Sequence, residues 1–220
     1  MNRYLPFVYA VIAAADLLAN VSMPAMRFVT KPLLVPILFV FFLLETKQIT
    51  SKIKTTFVLA LFFAWLGDCF LLFEGLPSFM LGLGFFLVMQ LFYIRIFSPV
   101  AMPSKAELLK LSPVFLLCCV TAFFIISKAG ELSIPIFCYF LAITTMVLTA
   151  ALRQNRVGEI SYKFVYLGAI LFLISDAFIA INKFVFSNSI IDFLVMPTYI
   201  VAQYLIVSGI IRELKELPID

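Results

Sequence analysis

The chain has 220 residues, 64% hydrophobic and only 13% charged, with sixteen Lys and Arg against twelve Asp and Glu and a mean hydropathy of +1.14. A soluble domain of this size needs far more polar surface, so the composition predicts an integral membrane protein with no soluble domain beside it. Histidine is absent, which excludes Ser–His and Cys–His nucleophiles and removes the commonest zinc ligand.

Other function classes lack their signatures as well. No Gly-x-Ser-x-Gly elbow, dinucleotide fingerprint or phosphate loop occurs. The net charge of +4 is spread through short connections rather than gathered into a patch, so no nucleic-acid partner is expected. Cys69, Cys118, Cys119 and Cys138 all fall in apolar stretches at spacings that fit no metal motif, and they are expected to be buried free thiols. Neither a metal nor another cofactor is required by anything in the sequence.

In chain order, eight apolar stretches are predicted, and lipid leaves the helix as their only form. The first, 5–24, carries Asp16 and Asn20, and those polar residues argue that it is retained rather than cleaved as a signal peptide. The second, 30–45, is the shortest and holds Pro32 and Pro36 near its start, where they are expected to kink or tilt it. The third, 55–74, contains Asp68, and the fourth, 78–97, contains Gln90 and Tyr93. The fifth and sixth, 109–127 and 132–151, carry no ionised residue except at their margins. The seventh, 161–181, contains Asp176 with Asn182 just beyond it, and the eighth, 192–211, contains Tyr199 and Gln203. The expected architecture is all-α, a single transmembrane domain over 1–220 built as a bundle of eight spans.

The cations orient this bundle. Of the sixteen Lys and Arg, twelve fall on the side that holds both termini, beginning with Arg3 and including the connection from Pro99 to Lys110. Four, Arg27, Lys31, Lys128 and Lys183, fall on the other. The positive-inside rule then places both termini in the cytoplasm. The expected location is a bacterial inner (plasma) membrane, with Asp68 and Asp176 both in its outer half.

Those two aspartates share a local pattern, Gly67-Asp68-Cys69-Phe70 and Ser175-Asp176-Ala177-Phe178. A carboxylate at mid-bilayer costs roughly 2.5–3.5 kcal/mol on insertion scales, so two in matching settings suggest a site. Asn20, Arg27, Lys31, Asn182, Gln90, Tyr93, Tyr199 and Gln203 fall in the same depth band, which predicts one polar pocket opening toward the non-cytoplasmic face. A structural salt bridge of Asp68 to Arg27 or Lys31 is the alternative role for those residues. Asp16 sits near mid-span with no matching partner. The two Asp elements also lie four spans apart, which hints at a parallel internal repeat.

Met26-Arg27-Phe28-Val29-Thr30-Lys31-Pro32-Leu33-Leu34, Gly67-Asp68, Ser175-Asp176 and Tyr199-Ile200-Val201-Ala202-Gln203-Tyr204 together resemble the YhhN-like family. That family comprises eight-span membrane proteins and includes the animal lysoplasmalogenases. The resemblance covers nearly the whole chain, and the Thr-Lys-Pro-Leu and Asp elements are its most specific parts. It implies a membrane-embedded hydrolase that cleaves the vinyl ether bond of a lysophospholipid, giving a fatty aldehyde and a glycerophospho-alcohol. One position departs from it: many relatives carry His where this chain has Gln90, and Gln cannot shuttle a proton near neutral pH.

Vinyl ether hydrolysis needs a carboxylic acid to protonate the alkene carbon and a carboxylate to stabilise the resulting oxocarbenium ion. Asp68 and Asp176 are the expected pair, in an order the sequence leaves open. Arg27 and Lys31 would take the head-group phosphate, while Asn20, Gln90, Tyr93, Asn182, Tyr199 and Gln203 would orient water and glycerol. The rival reading is a transporter or lipid-binding protein that uses the paired Asp residues as a proton or cation site.

Overall fold

The structure is a computed structural model and describes residues 4–98 and 103–216. Arg3, counted among the topology cations, and Pro99, at the head of the connection to Lys110, lie outside the described residues, as does the Lys110 side chain.

Eight helices run through the described residues: α1 Tyr4–Ser22, α2 Arg27–Glu45, α3 Lys52–Phe70, α4 Leu76–Phe97, α5 Lys105–Ile126, α6 Ser133–Ala151, α7 Glu159–Phe184 and α8 Ser189–Glu216. Seven helical segments are long and apolar enough to cross a membrane, and α5 supplies a shorter apolar helix, Leu111–Ile126. The protein is therefore an all-α, multi-span integral membrane protein.

Local chemistry sets several helix ends. Ser51 caps α3 by accepting from the Lys54 amide at 3.1 Å. Ser104 and Glu107 form a reciprocal capping box at the start of α5. The second helix starts at Arg27 rather than near residue 30, because a short 3-10 turn over Pro24–Met26 feeds directly into it. Arg27 and Lys31 therefore sit one turn apart on a single helix face. The third helix ends at Phe70, short of residue 74, which puts Asp68 in its last turn, where the helix dipole disfavours an anion. A nearby cation is needed there.

The two prolines leave α2 continuous over 19 residues. Pro36 has no amide hydrogen, so the carbonyl of Pro32, four residues before it, loses its helical donor. Trp65 of α3 fills the gap, its Nε1 donating to the Pro32 carbonyl at 3.1 Å.

Contacts run from α2 through α3, α4, α6 and α7 to α8, which returns to α2; α1 packs on α2 and α8, and α5 lies outside against α6 and α7. The closest pairing is α7 with α8. A Cβ at Gly168 would stand 2.7 Å from Ile206 Cγ1, and one at Gly209 would stand 2.6 Å from Val165 Cγ2. Small residues at such crossings let helices approach within membranes. All four cysteines are free, but only Cys118 is buried, while Cys119 and Cys138 are exposed. In a membrane protein an apolar stretch has an outward face that meets lipid, so apolar sequence alone does not imply burial in the protein.

Candidate functional site

Asp68 is buried at the end of α3. Tyr199 of α8 donates its hydroxyl to Asp68 Oδ2 at 2.6 Å, and Lys31 Nζ of α2 lies 3.8 Å from Oδ1. Behind Tyr199, Gln203 Nε2 donates to the tyrosine oxygen at 3.2 Å, and Tyr93 of α4 donates to Gln203 Oε1 at 3.1 Å. Residues 199 and 203 are one helical turn apart and share a face. The result is a buried relay from Tyr93 through Gln203 and Tyr199 to Asp68, in which each bond polarises the next.

Asp176 stands in a different setting. Tyr139 of α6 donates to its Oδ2 at 2.5 Å, and Gln90 Nε2 of α4 makes a longer contact to the same oxygen at 3.5 Å. Both neighbours are neutral, and both contact Oδ2. Gln90 Oε1 is buried and has no hydrogen-bond partner among the described residues. Beside Asp176 lies a cavity of about 30 Å³ whose walls include Leu71, Phe86, Tyr139 and Phe184. That volume admits water rather than an alkyl chain.

A wider cleft of about 340 Å³ adjoins this cavity and shares the walls Leu71, Phe79 and Ile179 with it. Arg27, Lys31 and Lys183 line the cleft together with Asn20, Asn182 and Asp192. Lys183 lies over the Phe79 ring, 4.2 Å from its centroid. Asn182 is engaged at the α7–α8 turn, donating to Asp192 Oδ1 at 3.2 Å and accepting from the Asn188 amide at 2.7 Å.

Each residue singled out from sequence thus finds a place, but in a buried cluster around Asp68, a part-buried one around Asp176 and a basic cleft rather than in one pocket. Asp16, which has no matching Asp element elsewhere in the sequence, accepts from Thr30 Oγ1 at 2.6 Å and lies 3.9 Å from Arg27 Nε. The approach to Arg27 is an ion pair without a hydrogen bond. Tyr139 and Lys183 were not anticipated. Tyr139 had a readable signal: in a chain with 26 Phe and 8 Tyr, a mid-span tyrosine carries a hydroxyl that must be satisfied. Lys183 had none, because a cation at a helix end also serves topology. Among the described residues no group of three Cys, Asp or Glu gathers as a metal site.

The profile of the YhhN family matches residues 26–210, which takes in both aspartates, the basic pair and the α8 relay. The chain belongs to the YhhN family. This YhhN protein is 28% identical over 137 residues to a lysoplasmalogenase of Mycobacterium bovis, a match covering 60% of this chain and 51% of that protein. The same figures hold for a lysoplasmalogenase of Mycobacterium tuberculosis. It is 30% identical over 165 residues to human lysoplasmalogenase TMEM86A, covering 72% of this chain and 66% of the human protein. The match to the YhhN chain spans about half the length of the mycobacterial relatives. No solved structure shows a significant match.

Proposed function

We propose that this YhhN-family protein is a membrane-embedded lipid hydrolase that cleaves the vinyl ether bond of lysoplasmalogens, with ethanolamine or choline head groups. The products are a fatty aldehyde and a glycerophospho-alcohol. The observation that carries this reading is the junction of a carboxyl group in neutral surroundings, a water-sized cavity beside it, and a basic cleft sharing its wall. The names of the relatives agree with it.

The two aspartates divide the work by their partners. Asp176, among neutral donors, is the acid that protonates the vinyl carbon remote from the ether oxygen. The electrons of the alkene take that proton and the ether oxygen shares its lone pair, leaving an oxocarbenium ion. Asp68, facing the Lys31 ammonium, supplies negative charge to the site. Water in the small cavity beside Asp176 adds to the oxocarbenium carbon and passes a proton back to Asp176. The hemiacetal then collapses to aldehyde and alcohol. Gln90 contributes only its long Nε2 contact to Asp176 in this scheme, so the absence of His there does not block it.

Arg27, Lys31 and Lys183 take the phosphate, a role suited to cations at the membrane interface. Asn20 and Asn182 border the glycerol. The alkenyl chain enters by parting the aromatic wall of Phe79 and Phe184, whose rings are 6.2 Å apart. Eight spans with both termini cytoplasmic put this cleft on the non-cytoplasmic face. All of the site residues sit on helices, which gives the constellation a rigid frame.

The test is product analysis by mass spectrometry after purified protein meets lysoplasmenyl-ethanolamine, beside an Asp68→Asn control. Fatty aldehyde from the native protein alone supports the reading. Uptake of the lipid into proteoliposomes without any product supports a transporter instead.

A further inference from the structure

We propose that the basic cleft selects its head group, taking phosphoethanolamine in preference to phosphocholine, and that Asp192 is the residue that makes the choice. This rests on the reading of the cleft as a phospholipid head-group site, but not on the vinyl ether chemistry. Arg27, Lys31 and Lys183 line the cleft, and Asp192 is the one carboxylate among the described residues in its wall.

Each cation faces a group other than Asp192. Arg27 Nε stands 3.9 Å from Asp16 and Lys31 Nζ 3.8 Å from Asp68, both of them buried carboxylates, while Lys183 lies over the Phe79 ring. The three cations are therefore balanced by Asp16, Asp68 and Asp192. A head group that is neutral overall, with its two charges apart, preserves this balance, whereas a phosphomonoester adds about two negative charges. Asp192 is fixed by neutral groups instead: its Oδ1 accepts from Asn182 Nδ2 at 3.2 Å, and its amide donates to the Asn188 carbonyl at 3.0 Å. A carboxylate held in place without a counter-ion, in a cleft that otherwise presents cations, is a receptor for an ammonium.

The wall also decides which ammonium fits. A quaternary ammonium has no N–H and is recognised by aromatic faces. Phe79 is the one aromatic side chain lining the cleft among the described residues, and the Lys183 ammonium already lies 4.2 Å from its centroid. That charge repels a second cation from the ring. A primary ammonium carries three N–H donors, and the Asp192 carboxylate is an acceptor-only partner for them. The charge-assisted hydrogen bond is thus open to ethanolamine and closed to choline, which offers Asp192 only a diffuse charge.

The experiment uses the full chain in detergent and measures lipid retention by native mass spectrometry. The probes are 1-O-alkyl lysophosphoethanolamine, its phosphocholine counterpart and 1-O-alkyl glycerol 3-phosphate, whose saturated ether the proposed reaction cannot cleave. The variant is Asp192→Asn, which keeps the size of the side chain and an oxygen to accept from Asn182. Native protein should retain the ethanolamine lipid about tenfold better than the choline lipid, the scale of one charge-assisted hydrogen bond. In Asp192→Asn that ratio should fall toward one, with retention of the choline lipid unchanged and that of the glycerol phosphate lipid unchanged or higher. Equal retention of the ethanolamine and choline lipids by native protein overturns the proposal, as does a preference that survives in Asp192→Asn. Loss of all three lipids in the variant, or retention of none by native protein, overturns it as well. A preference for ethanolamine in a protein that releases no aldehyde from lysoplasmenyl-ethanolamine would leave this inference standing and overturn vinyl ether hydrolysis alone.

Discussion

Tyr139 donates its hydroxyl to Asp176 across 2.5 Å, from α6 to α7. Tyr199 makes the matching contact to Asp68 at 2.6 Å, from α8 to α3. Each aspartate of the repeated small-Asp-small-Phe element is thus held by a tyrosine from another helix. What separates them is the third partner, an ammonium for Asp68 and a long amide contact for Asp176.

Removing the Tyr139 hydroxyl isolates this contact, since phenylalanine preserves the packing. A hydrogen bond between neutral groups is worth about 0.5–1.5 kcal/mol. Tyr139→Phe should lower kcat by up to about tenfold and the thermal unfolding midpoint by about 2–4 °C, the scale of one lost buried hydrogen bond in a chain of this size. Steady-state kinetics beside a thermal melt reads both.

The two Asp→Asn variants should fail in different ways. Asp176→Asn removes the proton donor and should lower kcat by about 10²–10⁴, the usual contribution of a general acid, with little change in Tm. Asp68→Asn also leaves the buried Lys31 without its counter-charge, which typically costs about 3–5 kcal/mol. It should lower Tm by several degrees as well as kcat. Equal melting points for the two variants would contradict the assigned roles.

Lys183 is exposed on the rim of the basic cleft and should act through substrate binding. Lys183→Gln is expected to raise KM for a lysophospholipid about threefold to tenfold with kcat nearly unchanged. On a 1-alkenyl glycerol that lacks the phosphate, the variant should match native protein. A kcat effect on both substrates would place Lys183 elsewhere in the mechanism.

The α2 prolines give a stability prediction independent of activity. Trp65→Phe keeps an aromatic ring but removes the donor to the Pro32 carbonyl. The loss should be about 1 kcal/mol, or about 2–4 °C in Tm for a chain of this size. Differential scanning fluorimetry in detergent measures it.

Much of this arrangement was legible from the sequence because lipid simplifies the grammar. Long apolar runs mark helices, and an Asp inside one stands out against its surroundings. Asp68, Asp176, Gln90 and Gln203 stand out as candidates in that way. Which helix faces which was not readable, so the split into a Lys31-paired carboxyl and a neutral one needed the structure. The partner of Asp16 was unreadable for the same reason, because Thr30 lies across the first turn and contact between α1 and α2 fixes the pairing. Tyr139 escaped notice among phenylalanines.

The most direct measurement is mass spectrometry of products formed from lysoplasmenyl-ethanolamine in deuterated water, by native protein and by Asp176→Asn. Protonation at carbon by Asp176 predicts fatty aldehyde carrying one deuterium beside its carbonyl from the native protein, and none above background from Asp176→Asn. Aldehyde formed equally by both proteins, or none from folded, lipid-bound native protein, would contradict the account.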